Sequence, residues 1–244
     1  MAWYAKSTGG YNSGSTEALA NANMLATALR SDGWCNKAIA ALLGNGAGES
    51  GLNPWRWEAD YVPSYSEFAN WSATQAQSHG YGLFGFTPAS SYINSTNATR
   101  YSQWYAPNFR DRAGNATDGE AQTRYFMSTV SANWLHNLYY YYADNFANIG
   151  VDISDFYYLT FNQFKTGIDG NGNEIPIAWL TGAFELCYEK PNDAAAANSY
   201  NYRVSNAEYW YSVLGPSPTP TGSDSFNIML YMKPRWKKIL KGMN

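Results

Sequence analysis

The 244-residue chain predicts an α+β domain, mostly helical, with a small β element between its helical regions. Two observations carry that prediction. Apolar and small residues recur at three- and four-residue spacing before residue 50 and again after residue 117, the period of helices that each bury a face. Between Trp55 and about Tyr105 the period degrades into Trp, Tyr, Ser and Pro with short alternating runs, a pattern of brief strands and long loops. The length suits one core of about 200 residues with little left for a second.

Taken in order, residues 1–14 are rich in Gly, Ser and Tyr and read as an extended N-terminal arm. Ser15 or Thr16 caps a helix running to about Arg30, and Asp32-Gly33 ends it. Trp34 packs the corner. Cys35 or Asn36 then opens a second helix, on which Ile39, Leu42, Leu43 and Ala47 fall at helical spacing. That helix delivers Glu49 at its C-terminus, just before the breakers Gly51 and Pro54. Farther on, Thr117-Asp118-Gly119-Glu120 has capping-box spacing and starts a helix to about Thr129, followed by an aromatic helix near 131–147. Asp152 or Ser154 opens another, with Phe156, Leu159 and Phe164 as its apolar positions. Asp169 to Glu174 imitates the start of a calcium loop, but its sixth position is not Gly and its twelfth, Leu180, is not acidic, so it reads as a solvated turn. Pro176 starts the helix carrying Phe184 and Glu185, and the last helix runs near Tyr200–Leu214. The domain proper is thus 15–214. Residues 215–223 form a Pro/Ser/Thr linker, and 224–244 a tail that is apolar first and cationic second.

Composition narrows the partners. Charged residues are 14% of the chain and aromatics 17%, with 21 Tyr and 10 Trp, so the surface chemistry is rings and neutral amides. Such surfaces suit carbohydrate, whose C–H faces stack on rings and whose hydroxyls bond to amides. A net charge of -3 with no basic stripe over the domain argues against nucleic acid. The tail differs, holding five basic residues and one acidic against eleven and eighteen before it. Its apolar run is too short to cross a bilayer and reads as a docking peptide, the stub of a larger protein or an interfacial anchor. MAWYAKSTGG lacks the pattern of a secretory signal, so export by that route is not expected. Cys35 and Cys187 are too few for a disulfide framework and too far apart for a CxxC motif, and they read as reduced thiols. With His79 and His136 also unpaired in spacing, neither a metal site nor a cofactor is expected.

One carboxylate stands out. Glu49 sits at the negative end of a helix dipole and beside Leu52 and Trp55, and both features disfavour the ionised form. A carboxyl that keeps its proton can act as a general acid.

Five segments surround it in order: ANANMLATALRSDGW at 20–34, the Glu49 helix end GNGAGESGLNP, NPWRWEAD at 53–60, GYGLFGFTPASSY at 80–92, and FELCYEKP at 184–191 with the Arg203 region beyond. Together they resemble the phage tail lysozyme family, over roughly residues 16–214. The resemblance implies a lysozyme-like fold of two lobes with the β element beside a cleft. It further implies a muramidase that cleaves the β-1,4 bond between MurNAc and GlcNAc, with Glu49 as acid. For the second group Glu58 is preferred to Asp60 and Glu67, since it follows NPWRW directly, and Thr87 could hold a water. Trp55, Trp57, Tyr81 and Phe86 are the expected sugar-binding rings. Peptidoglycan is the implied partner, with other phage tail proteins through the C-terminal tail, and the implied location is the virion, or the host cytoplasm during assembly. For that tail, the modular build common in the family favours a virion-docking peptide or a stub over an anchor. One position departs from the family pattern: Gly85 stands where the family usually has Gln. Two rival functions share these features, a lytic transglycosylase, which needs only the acid, and a glycan-binding tail component that has lost catalysis.

Overall fold

The computed structural model describes residues 3–6, 8–61, 78–95 and 117–216. Glu67, most of the linker and the whole of the 224–244 tail lie outside the described residues. Eight α-helices are found among those described: α1 Thr16–Ser31, α2 Asn36–Glu49, α3 Ala89–Ser95, α4 Thr117–Asn133, α5 Tyr139–Ala147, α6 Phe161–Thr166, α7 Ile177–Phe184 and α8 Asp193–Leu214. The expected β element is represented there only by isolated antiparallel bridges, Trp57 with Tyr81, Tyr81 with Phe86, and Ile168 with Glu174.

Helix α2 is the axis of the molecule. Every residue from Ala38 to Gly46 is buried, a helix apolar on all sides and therefore central. It packs against α8, α7, α1 and α6. Cys35 caps its start, the thiol sulfur accepting from the Ala38 N–H at 3.3 Å. Ile39, Leu42 and Leu43 are fully buried, each contributing about 2 kcal/mol. The closest approach is to α8, at Gly44. A Cβ placed on Gly44 would lie 2.6 Å from the Arg203 carbonyl oxygen and 2.7 Å from the Ala207 nitrogen. Only the missing side chain lets these backbones meet.

The far end of α2 is tied down by the start of the chain. Asn53 donates from Nδ2 to the carbonyls of Lys6 and Gly9, 2.8 Å each, and Tyr11 donates its N–H to Gly51 at 3.0 Å. Asn21 on α1 accepts from the Tyr4 N–H and donates to the Leu52 carbonyl. Trp3 is 1% exposed and lies against Gly119 of α4, where a Cβ would fall inside its ring. The segment expected as an extended arm is thus non-helical and part of the packed body.

Some helix boundaries differ from expectation for local reasons. The helix expected near 131–147 begins only at Tyr139. Upstream of it, Leu135 gives its N–H to the Cys187 carbonyl at 3.0 Å and Leu138 gives its own to the Tyr157 hydroxyl at 2.6 Å, so tertiary partners replace helical ones. The helix expected from 152 is a single 3₁₀ turn, Ile153–Asp155, followed by α6, which Thr160 and Gln163 start with a reciprocal capping box. The last helix begins at Asp193, capped by Asn192, earlier than expected. Helix α7 continues as one π-helical stretch, Glu185–Glu189, which the apolar periodicity does not foretell. Asp169 accepts from the N–H groups of Asn171 and Asn173 at 2.8 Å each and so closes its own turn. Both cysteines are free thiols, and Cys187 is buried.

Adding a methyl group at Gly44 tests the central packing. Alanine would gain about 1 kcal/mol of helix propensity, but the clash is with backbone that cannot rotate away. Gly44→Ala should therefore lose about 2 kcal/mol net in urea denaturation. An unchanged midpoint would mean that α2 and α8 have room to separate.

Candidate active site

Glu49 ends α2 at the floor of a cleft of about 690 Å³, also lined by Glu58, Phe84, Phe86, Thr87, Tyr125, Tyr188 and Lys190. Its side chain is 30% exposed, whereas residues 38–46 of the same helix are buried. Ser50 stops the helix: its hydroxyl donates to the Leu83 carbonyl at 2.9 Å, fixing the 80–88 loop above the helix end. Gln122 of α4 holds the same loop from the other side, accepting from the Leu83 N–H and donating to the Pro54 carbonyl. The acid is thereby set between rigid walls.

Glu58 and Thr87 reach this cleft too, so three sequence-predicted residues converge on one cavity. Glu58 is exposed on a 3₁₀ turn, Glu58–Asp60, and is doubly bound to Gly80. Its Oε2 accepts from the Gly80 N–H, and its own N–H donates to the Gly80 carbonyl, 2.8 Å each. A smaller recess of about 180 Å³ joins Glu49, Trp57, Glu58, Gly80, Gly85 and Thr87. Thr87 donates its hydroxyl to the Gly85 carbonyl at 2.8 Å, which leaves its lone pairs facing out. Across the cleft, Lys190 has a left-handed backbone, and burial pulls its ammonium below the usual lysine range.

The four expected sugar-binding rings divide. Trp57 and Phe86 border the cavities, each less than a tenth exposed. Trp55 and Tyr81, 6% and 3% exposed, border neither of these two cavities. Tyr81 packs against Trp57 with centroids 4.5 Å apart and ring planes tilted by 44°. Asp60 is turned away, accepting from the Gly9 N–H at 2.6 Å and pairing with Arg56 at 3.1 Å; these contacts hold its carboxyl below the usual range, the backbone bond first.

Sequence reasoning assigned no role to the group behind Glu49. Arg203, on α8, is 6% exposed and meets three carboxyls. Its Nη2 donates to Glu49 Oε1, its Nη1 to Glu189 Oε2 and to Asn45 Oδ1 at 2.9 Å, and its Nε lies 3.0 Å from Glu185 Oε1. Ser199 donates to the same Glu185 oxygen at 2.6 Å. Burial pushes Glu185 up to about 7 and Glu189 well above the ordinary carboxylate range, against the opposing pull of Arg203. Burial works against the Arg203 charge as well, but the three carboxyls outweigh it and hold the guanidinium above its ordinary value. The one signal in the sequence was an acid, Glu185, directly after the apolar run of α7, with a second acid four residues on.

A mostly helical body with an acid at the end of its buried central helix, opening on a polar cleft walled by aromatic rings, is the design of a lysozyme-like glycoside hydrolase. Comparison with known families agrees: the phage tail lysozyme family model matches residues 20–214, most of the chain, and the chain belongs to that family. Membership points to a phage-associated, lysozyme-like peptidoglycan hydrolase that acts on the cell wall. Among the described residues no helix is long and apolar enough to cross a membrane.

Glu185 has a measurable signature. Its ordinary value of 4.5 applies to the unfolded chain, and about 7 to the folded one, so the folded state binds more protons between those limits. The stability it contributes is complete below about 4.5 and is lost as pH rises through about 7. Glu189 acts in the same sense. Glu185→Gln should flatten, without abolishing, the fall in melting temperature from pH 4.5 to pH 7.5; an unaltered slope would show that Glu185 does not titrate in that window.

Proposed function

We propose that the protein is a muramidase that cleaves the β-1,4 bond between MurNAc and GlcNAc, with Glu49 as general acid, and that it works as a tail-tip or virion-associated component of a bacteriophage. What supports this reading is the convergence of Glu49, Glu58 and Thr87 on a single cleft in a chain of this family. Glu49 protonates the glycosidic oxygen as the C1–O bond breaks, and the bond's electrons leave with that oxygen. Glu58, on the opposite lip and held by Gly80, acts as base on a water that Thr87 helps to place. Water then attacks from the face opposite the leaving group, and the anomeric configuration inverts. Trp57 and Phe86 supply the ring surface that borders the sugar path, with Tyr81 packed against Trp57. The virion placement is checked by immunodetection of the protein in purified particles; its absence from them would remove that part of the proposal.

The decisive experiment is mass spectrometry of digested peptidoglycan, comparing wild type with Glu49→Gln. The amide keeps the shape but cannot donate an acidic proton, so turnover should fall by a factor of about 10² or more while folding is retained. Activity within tenfold of wild type would remove Glu49 from the acid role. Reducing ends in the wild-type digest are the expected product, and 1,6-anhydro ends would make the enzyme a lytic transglycosylase instead.

Glu58 has its own test. Glu58→Gln should cost more than about tenfold in kcat, equivalent to about 1.4 kcal/mol of barrier, and NMR of the first product should show the inverted anomer. A smaller loss, or a retained anomer, would transfer the base function elsewhere.

A further inference from the structure

The two oxygens of the Glu49 carboxyl are treated differently. Oε1 accepts from Arg203 Nη2. Oε2 faces Gly85, and a Cβ placed on Gly85 would sit 2.9 Å from it, with the next nearest atoms also belonging to Glu49. Gly85 has φ +54°, a left-handed backbone at the corner of the 82–85 turn, and it lines both cavities that Glu49 lines.

The guanidinium that takes Oε1 cannot swing aside. Its Nε faces Glu185 at 3.0 Å and Ser199 Oγ at 3.1 Å, and its Nη1 is shared by Glu189 and Asn45. Glu185 is fully buried and its Oε1 meets Arg203 and Ser199, while Glu189, 6% exposed, borders the cleft and accepts from Arg203 Nη1 at Oε2. They fasten Arg203, and Arg203 fastens Glu49.

We propose that Arg203 and Gly85 together choose the atom from which Glu49 delivers its proton: Arg203 occupies Oε1, and the absent side chain at Gly85 leaves Oε2 open to the glycosidic oxygen. This rests on Glu49 being the general acid. The proton leaves Oε2 for the bridging oxygen as the C1–O bond breaks, and the carboxylate charge left behind spreads to Oε1, against a cation already in place. Arg203 is therefore a positioning residue that also stabilises charge developing in the transition state. Gly85 is explained in the same terms: a side chain there, such as the Gln usual in the family, would cover the donor oxygen in this backbone. The charged groups around Glu49 are Arg203, with Glu185 behind it, and Glu58, Glu189 and Lys190 on the same cleft.

The test is kcat against KM on soluble glycan fragments, with the full chain. Three variants are compared: Arg203→Lys, Gly85→Ala, and Arg203→Met combined with Glu185→Gln and Glu189→Gln. The last replaces the buried charges together and so avoids stranding two carboxyls. Lysine keeps the charge but not the fork that fixes Oε1, so kcat should fall about a hundredfold with KM within about threefold. Gly85→Ala should lower kcat similarly, because its side chain would crowd Oε2. In the neutral triple variant, which lacks both the fork and its charge, kcat should fall at least as far as in Arg203→Lys, again with KM within about threefold. Should Gly85→Ala fail to fold, the two Arg203 variants decide alone. Folded Arg203 variants with kcat within threefold of wild type would overturn the inference. If Glu49→Gln were itself active, the acid assignment would fall first; if it is inactive while the Arg203 variants behave as wild type, only the present inference fails.

Discussion

Burying one arginine among three carboxyls is the constraint on which the rest of the structure depends. An isolated buried charge is several kcal/mol too costly to keep, and removing one partner of a buried pair costs about 3–5 kcal/mol. Arg203 is tolerable inside only because Glu49 and Asn45 of α2 and Glu185 and Glu189 of the 185–189 stretch come to it from two separate helical segments. That requirement dictates backbone geometry. α8 must approach α2 closely enough for the guanidinium to reach the helix end, hence Gly44 against Ala207, and the chain after α7 must present two acids on one side, which the stretch 185–189 does. Ionic satisfaction and tight packing are here a single condition.

The polar side chains of the core serve the same end. Asn21, Asn45, Asn53 and Gln122 are all buried, and each bridges segments that are distant in sequence. An apolar residue at any of these positions would fill the space equally well but would leave buried backbone groups without partners. Their combined effect is to immobilise the stretch 49–60 and the loop 80–88, the irregular parts of the chain that form the cleft. The cleft is rigid because loops, not only helices, are hydrogen-bonded to the body.

Much of this was legible in the sequence and some was not, for reasons that differ by residue. α1 and α2 were readable because Ser15 is a strong cap, the apolar spacing is regular and Gly51 with Pro54 makes an unmistakable stop. Glu49 and Glu58 were readable as a pair because both lie in one local stretch of the chain. The break at 134–138 was not, since nothing in WLHNL disfavours a helix; its N–H groups simply find better partners in Cys187 and Tyr157. Tyr81 and Trp55 look on paper like any sugar-stacking rings, and only three-dimensional neighbours reveal that they are covered. The Arg203 cluster is the extreme case, because its members reveal their roles only together, and no local pattern records which acid faces which base.

Glu49 and the nitrogen that holds it are 154 residues apart, contributed by the second helix and the last. During synthesis the acid is therefore made early and its clamp late. A nascent chain that has not yet produced α8 possesses the carboxyl but nothing to orient it, and the buried acids of 185–189 lack their counter-charge until the same moment. Closure of such a long loop is slow relative to local helix formation. The arrangement thus couples competence to the making of α8: the working geometry belongs to a chain that includes Arg203 and to no N-terminal piece that stops before it.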